Sequence, residues 1–217
     1  SSSAASDVYK RQTYGGATLV DNSEIELAIT ERDTVNYEGK QRIGKYAADL
    51  IKDGETIFLD ASTSAWHLAR YIKGKRGITV ITNAEKIVNE LSMCDHIHVV
   101  CVGGELTPRN MSYIGRVAEK TIKENYYANK CFFSCRGVTL GRGLVDSSEG
   151  EAEIKKAMLS CSESAIFLCD KNKIGKIGVP RISGLDGIDC FITDAQLTDE
   201  WQVALAEQDV KLVEVEK

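Results

Sequence analysis

The sequence predicts an α/β fold, a mostly parallel sheet with helices on both faces. Short apolar runs of strand length alternate along the chain with segments whose apolar residues recur at helical spacing. The runs are apolar at consecutive positions, as strands covered on both faces are. No internal repeat or low-complexity linker interrupts them, and Pro is rare (Pro108 and Pro180), which fits one compact domain.

The elements follow in order from Asn36. Ile43, Tyr46, Ala47, Leu50 and Ile51 mark one helical face, ended at Asp53-Gly54. Residues 56–59 form a short buried strand, followed by a helix from about Ser64 to Ile72. Residues 78–81 are the second strand, with a helix from Ala84 to about Ser92. Residues 97–102 are the third, closed by Gly103-Gly104. An irregular stretch leads to a helix near 116–124, a strand at 130–134 and a helix over about 149–162, where Ile154, Ala157, Met158 and Cys161 hold core spacing. Strands at 165–169, 190–193 and 211–215 complete the sheet, with a helix at 199–207 before the last.

At 217 residues, 43% hydrophobic and 27% charged, the chain suits one sizeable domain, or a domain with a small appendage, with a core that needs no staples. Its formal charge of −5 argues against extensive binding to a nucleic-acid backbone by this segment alone. Seven scattered cysteines, most in apolar runs and none in a C-x-x-C pair, support neither a zinc site nor a redox motif and suit a reducing cytoplasm. No run approaches the ~20 apolar residues that cross a bilayer and no signal peptide is visible, so no membrane partner is expected. Residues 1–12, SSSAASDVYKRQ, are small, polar and aperiodic. They read as a disordered tail, or as an artefact, since 7–12 resemble a translated sequencing-adapter end. Residues 13–37 read as linker and first strand region, and 38–217 as the domain proper.

Ligands of such sheets bind where strands end and helices begin. Asp60-Ala61-Ser62-Thr63-Ser64 follows the first strand and opens a helix, which makes it either an ordinary N-cap or a phosphate cradle. Thr82-Asn83 is a second cap-like strand end. Gly103-Gly104 either forms a simple turn or allows positive φ beside a ligand. Lys173, in Asp170-Lys171-Asn172-Lys173, could add about 1.5–3 kcal/mol toward a phosphate, against ~0.3–1 from a helix terminus, or could belong to a solvated basic turn. Glu151 and Lys155, four apart on one helix, read by default as a surface ion pair. The three histidines are too few and too poorly placed for a metal site or a triad.

The order of five segments says more than any one of them. LDASTSAWHLARYI, TVITNAEKIVNEL, VVCVGGELTPRNMSYIG, KCFFSCRGVTLGRGLVDSSEGEAEIKKAM and AIFLCDKNKIGK together resemble the effector domain of DeoR-type repressors, from about Tyr14 to the C-terminus. Tyr14-Gly15-Gly16-Ala17 is similar to the link these repressors place after their DNA-binding module. The resemblance implies the fold of ribose-5-phosphate isomerase and CoA transferases, cytoplasmic regulation of sugar metabolism, and an effector that is a phosphorylated sugar or related metabolite, without a cofactor. It also implies a homo-oligomer that meets operator DNA only through an N-terminal helix-turn-helix missing from this chain. By position, the implied ligand shell is Asp60, Ser62, Thr63, Ser64, Asn83, Gly103, Gly104, Arg136, Glu151, Lys155 and Lys173. Two departures stand out: Ala61-Ser62-Thr63-Ser64 lacks the glycine many members place after the aspartate, and Arg136 stands where several have Lys.

The rival reading is a sugar-phosphate isomerase or deaminase on the same fold. The isomerase resemblance would place an Asp-Gly-Ala-Asp-like segment after the strand at 130–133, where this chain has Ser134-Cys135-Arg136-Gly137. Glu151 would be left as a lone base with nothing to tune it, so no catalytic residue is expected. A second rival is a stand-alone ligand-binding protein with no DNA role.

Overall fold

A computed structural model of the chain describes residues 11–13, 16–18 and 27–216. Residues 1–10 of the expected tail, and Tyr14 and Gly15 of the expected link, lie outside the described residues. A short antiparallel pair, β1 (Arg11–Thr13) and β2 (Gly16–Thr18), comes first, then helices α1 (Ile29–Thr34) and α2 (Tyr37–Asp49). Next come β3 (Thr56–Leu59), α3 (Thr63–Tyr71), β4 (Thr79–Thr82), α4 (Glu85–Leu91) and β5 (His98–Cys101). A hairpin of β6 (Glu105–Thr107) and β7 (Ser112–Ile114) precedes α5 (Arg116–Asn125) and β8 (Ala128–Phe133). The chain continues through β9 (Gly137–Thr139), β10 (Gly143–Val145), α6 (Glu149–Ser160), β11 (Ser162–Cys169) and β12 (Arg181–Ser183). It closes with β13 (Cys190–Thr193), α7 (Asp199–Glu207) and β14 (Lys211–Glu214).

Seven strands form the expected parallel sheet, in the order β14-β13-β11-β8-β3-β4-β5. From β3 the chain steps outward through β4 to β5, then returns to β8 on the other side of β3 and steps outward to β14. The carboxyl ends of β3 and β8 thus flank the point where strand order reverses, where a crevice opens in such sheets.

Side chains alternate across the sheet as strand geometry requires. Ile57 and Leu59 of β3 join the core under α2, α3 and α4, while Phe58 joins the core under α5, α6 and α7. The second core is threaded by aromatic rings: Phe133–Phe167 at 5.5 Å, Phe167–Phe191 at 5.1 Å and Phe191–Trp201 at 6.1 Å between centroids. In the first core α2 lies close on α3, since a Cβ at Gly44 would come within 2.8 Å of the Leu68 nitrogen. Five of the cysteines are buried as small apolar side chains. Among the described residues no helix is long and apolar enough to cross a membrane.

Three features differ from the sequence expectation. The irregular stretch after Gly104 holds the β6–β7 hairpin, whose three-residue strands are too short to show a two-residue period. A second sheet, β12-β10-β9, caps the end of β8 through strands equally short. The stretch through residue 37, expected as linker, contains the six-residue α1 and the start of α2, and its Ile29 is buried.

Phe167 touches rings on both sides and is fully buried. Phe167→Ala is expected to cost about 3–5 kcal/mol, read as a lower midpoint in denaturant unfolding, whereas Val203→Ala on the exposed face of α7 should leave the midpoint in place.

Candidate functional site

β3 ends at Asp60, which is fully buried. Its Oδ1 accepts from the Ser62 amide (3.2 Å) and hydroxyl (2.6 Å), and its Oδ2 accepts from the Ser134 amide (3.1 Å) at the end of β8. Ser62 in turn caps α3, its Oγ accepting from the Ala65 amide at 3.1 Å. Asp60 therefore ties the two strand ends at the switch point to each other and to the helix start. Burial pushes its pKa up, against the opposing pull of Lys155 and these hydrogen bonds.

Lys155 reaches this point from α6, on a side chain only 6% exposed. Its Nζ lies 2.9 Å from Asp146, 3.5 Å from Asp60 and 3.6 Å from Glu151. Burial alone would pull the ammonium down, but the combined field of Asp146, Asp60 and Glu151 holds it well above the ordinary lysine range. The expected Glu151–Lys155 pair forms, yet it is buried rather than on the surface, because α6 turns this face inward over the crevice. Glu151 also accepts from Asn110 Nδ2 at 2.9 Å and from the Ser112 hydroxyl, both on the β6–β7 hairpin.

Above these groups lies a cleft of about 330 Å³. Six of the expected residues line it: Ser62, Thr63, Arg136, Glu151, Lys155 and Lys173. Asn110, Asp146, Ser134, Cys135 and Arg32 of α1 join them without having been expected. An adjoining lobe of about 560 Å³ shares Arg32, Thr63, Arg136 and Lys173, and adds Lys40, Asp170, Asn172 and Lys176 with apolar Leu27 and Val35. Thr63 opens α3, so both lobes sit against that helix's N-terminal end.

The lobes differ in charge. The inner one holds Asp146 and Glu151 around Lys155, beside the three cations it shares with the outer lobe, Arg32, Arg136 and Lys173. The outer one gathers Arg32, Lys40, Arg136, Lys173 and Lys176 against the single carboxylate of Asp170. Lys173 donates to the Cys135 carbonyl at 2.6 Å and lies 3.8 Å from Asp170. Lys40 donates to the Arg32 carbonyl. Burial first, then neighbouring Lys173 and Arg32, lowers Lys40 to about 8 despite Asp170 and Asp33. Lys176 is lowered in the same way, by burial and then by Lys173 and Arg136. Cations that depress one another form a site whose charge an anion would relieve. Cys135 is no nucleophile, since burial pushes its thiol up to about 12.

The remaining expected residues stand away from the cleft lining. Asp60 lies beneath it with its oxygens engaged, and Ser64 is fully buried in the first turn of α3. Asn83 pins the hairpin: its carbonyl accepts from the Tyr113 amide (2.7 Å) and its Nδ2 donates to the Tyr113 carbonyl (3.1 Å). Gly103 and Gly104 do take positive φ, 70° and 116°, but the close approach is to protein, a Cβ at Gly104 falling 2.6 Å from the Ile114 carbonyl. These residues set the hairpin that carries Asn110 and Ser112 onto Glu151. Asp146 directly follows β10, a strand too short to read from the sequence, so the strand-end logic did not reach it. Arg32, Lys40 and Asn110 carry no strand-end signal.

A profile described as the DeoR C-terminal sensor domain matches residues 35–195. A Bacillus subtilis protein named uncharacterized HTH-type transcriptional regulator YulB is 36% identical over 204 residues, covering 94% of this chain and 78% of that one. The L-fucose operon activator of Haemophilus influenzae is 27% identical over 202 residues, covering 93% of this chain and 80% of that one. Among solved structures, eIF2B delta from Chaetomium thermophilum superposes with a TM-score of 0.54 at 17% identity over 76% of this chain, which spans 58% of that one, a likeness of fold alone.

Lys155→Met would leave buried carboxylates without their cation. A loss of about 3–5 kcal/mol is expected, measurable by denaturant unfolding at pH 7, with a smaller loss for Asp146→Asn, which keeps the shape and leaves Lys155 two carboxylates.

Proposed function

The chain belongs to the DeoR C-terminal sensor domain family, and on that premise we propose that it is the effector-sensing part of a transcription regulator of sugar metabolism, with the two-lobed cleft as its effector site. The observation that carries this is a pair of adjoining lobes that share Arg32, Thr63, Arg136 and Lys173, with the carboxylates of Asp146 and Glu151 on the inner lobe alone and the ammonium groups of Lys40 and Lys176 on the outer lobe alone. An effector with a phosphate at one end and hydroxyls at the other matches it. The phosphate takes the outer lobe, against Thr63 at the start of α3, with Lys173, Lys40 and Arg136 around it. The hydroxyls take the inner lobe, where Asp146 and Glu151 accept hydrogen bonds and Asn110 anchors Glu151. Asp60 and Asn83 hold the frame and do not read the sugar.

The chain is a regulator's domain and not an enzyme. Moving a proton between sugar carbons needs a carboxylate base of tuned pKa, assisted by a second acid. After β8 stand Ser134, Cys135 and Arg136, and Glu151 is committed to Lys155, Asn110 and Ser112. In the proposed protein a helix-turn-helix module contacts operator DNA in the cytoplasm, and the sensor domains assemble as a homo-oligomer. The relatives' names, a helix-turn-helix-type regulator and a sugar operon activator, support the DNA and sugar parts of this reading.

The test is a thermal-shift screen of the purified chain against pentose and hexose monophosphates, the parent sugars and inorganic phosphate. A monophosphate at ~100 times its dissociation constant should add about 2.7 kcal/mol of stability. The parent sugar should give no shift, and Lys173→Met should abolish the response. Equal shifts from sugar and sugar phosphate, or none from any compound, would overturn the reading. Affinity should also depend on pH. Lys40 sheds its proton above about 8 in the free protein and must regain it beside a phosphate, so binding should weaken roughly tenfold between pH 7 and 9. Lys40→Met should flatten that dependence.

A further inference from the structure

The profile match begins at residue 35, yet the cleft draws one of its walls from before that point, from α1. A helix of six residues cannot hold itself together in water and keeps its shape only through what it is fastened to. Among the described residues, α1 is fastened by one buried apolar side chain and by several polar ties. Ile29 is buried and its amide donates to the Arg109 carbonyl at 2.9 Å. Asp33 lies 2.9 Å from His67 and 3.4 Å from Arg70 on α3. Burial pushes His67 down to about 4 in spite of Asp33, so at neutral pH the imidazole meets that carboxylate uncharged. Arg32 Nη2 donates to Asn110 Oδ1 at 2.9 Å, and Asn110 passes the connection on to Glu151 at 2.9 Å.

Arg32 is thus the point at which α1 meets the effector cleft. It lines both lobes, between the cations of the outer lobe and the Asn110–Glu151 pair of the inner one. We propose that Arg32 is an effector-contacting residue supplied from α1, ahead of the residues the family profile matches, and that effector binding fastens α1 to the domain. The proposal rests on the reading of the cleft as a sugar-phosphate site. A phosphate in the outer lobe meets a planar guanidinium able to give two parallel hydrogen bonds. It also relieves the crowding of Arg32 against Lys173 and Lys40. By linkage, whatever factor the effector adds to α1 docking, α1 docking adds to effector affinity.

The experiment uses the whole chain, with ribose 5-phosphate, glucose 6-phosphate and inorganic phosphate as probes. Titration calorimetry is run on wild type, Arg32→Met, Arg32→Lys and Asn110→Ala. Hydrogen exchange of the amides at 29–34 is followed with and without saturating probe. Wild type should bind at least one probe and show several-fold slower exchange at 29–34 when loaded. Arg32→Met should bind tenfold or more weakly and lose that protection, with Arg32→Lys between the two. Asn110→Ala keeps the charge but cuts the tie to Glu151, so it should retain part of the affinity and lose most of the protection. If wild type binds and Arg32→Met binds equally well, or if exchange at 29–34 ignores the probe, this proposal is overturned and the sugar-phosphate reading stands. If wild type binds no probe, that reading falls and takes the proposal with it.

Discussion

An ammonium group taken out of water must be surrounded by charge and hydrogen bonds of the opposite sense, or the fold that buries it does not persist. Lys155 imposes that condition here, and its partners come from three parts of the chain: Asp60 after β3, Asp146 after β10 and Glu151 on α6. Each partner is itself pinned. Asp60 joins β3 to β8 through the Ser134 amide, and Glu151 holds the β6–β7 hairpin through Asn110 and Ser112. Three carboxyl groups surround one ammonium, and burial pushes the pKa of Asp60 up. The hydroxyls and amides of Ser62, Ser134, Ser112 and Asn110 satisfy Asp60 and Glu151 by donating to them.

The cleft inherits its polarity from this arrangement. Its inner floor is the carboxylate-rich surround of Lys155. Its outer rim is built from α1, α2 and the turn after β11, whose inward-facing side chains are Arg32, Lys40, Lys173 and Lys176. The proposed effector, with a phosphate at one end and hydroxyls at the other, follows from that polarity. In the proposed reading, the buried charges that lock the strand ends together also orient the effector.

Much of the fold was legible because buried parallel strands announce themselves as apolar runs. The strands at 56–59 and 190–193 and the helix at 199–207 match their expected bounds to the residue. The site was legible only in part. Every strand end in such a sheet looks alike in sequence, and only strand order decides which ends meet. Asn83 and Gly103-Gly104 follow β4 and β5, one and two strands away from β3, so their capping chemistry serves the hairpin instead of the cleft. Conversely, Arg32 meets Asn110 across 78 residues and Asn110 meets Glu151 across 41. No periodicity or local spacing reports contacts of that range, and short polar elements such as α1 leave no apolar pattern to find them by.

One cleft is proposed to read phosphate at its outer lobe and hydroxyls at its inner lobe. The most direct test is a structure of the chain bound to a sugar monophosphate that stabilises it. The account predicts phosphate oxygens within about 3.2 Å of Thr63 and of the Lys173 ammonium, with the sugar hydroxyls directed at Asp146 and Glu151. A phosphate seated beside Lys155 with the sugar facing outward, or a ligand bound away from both lobes, would contradict it.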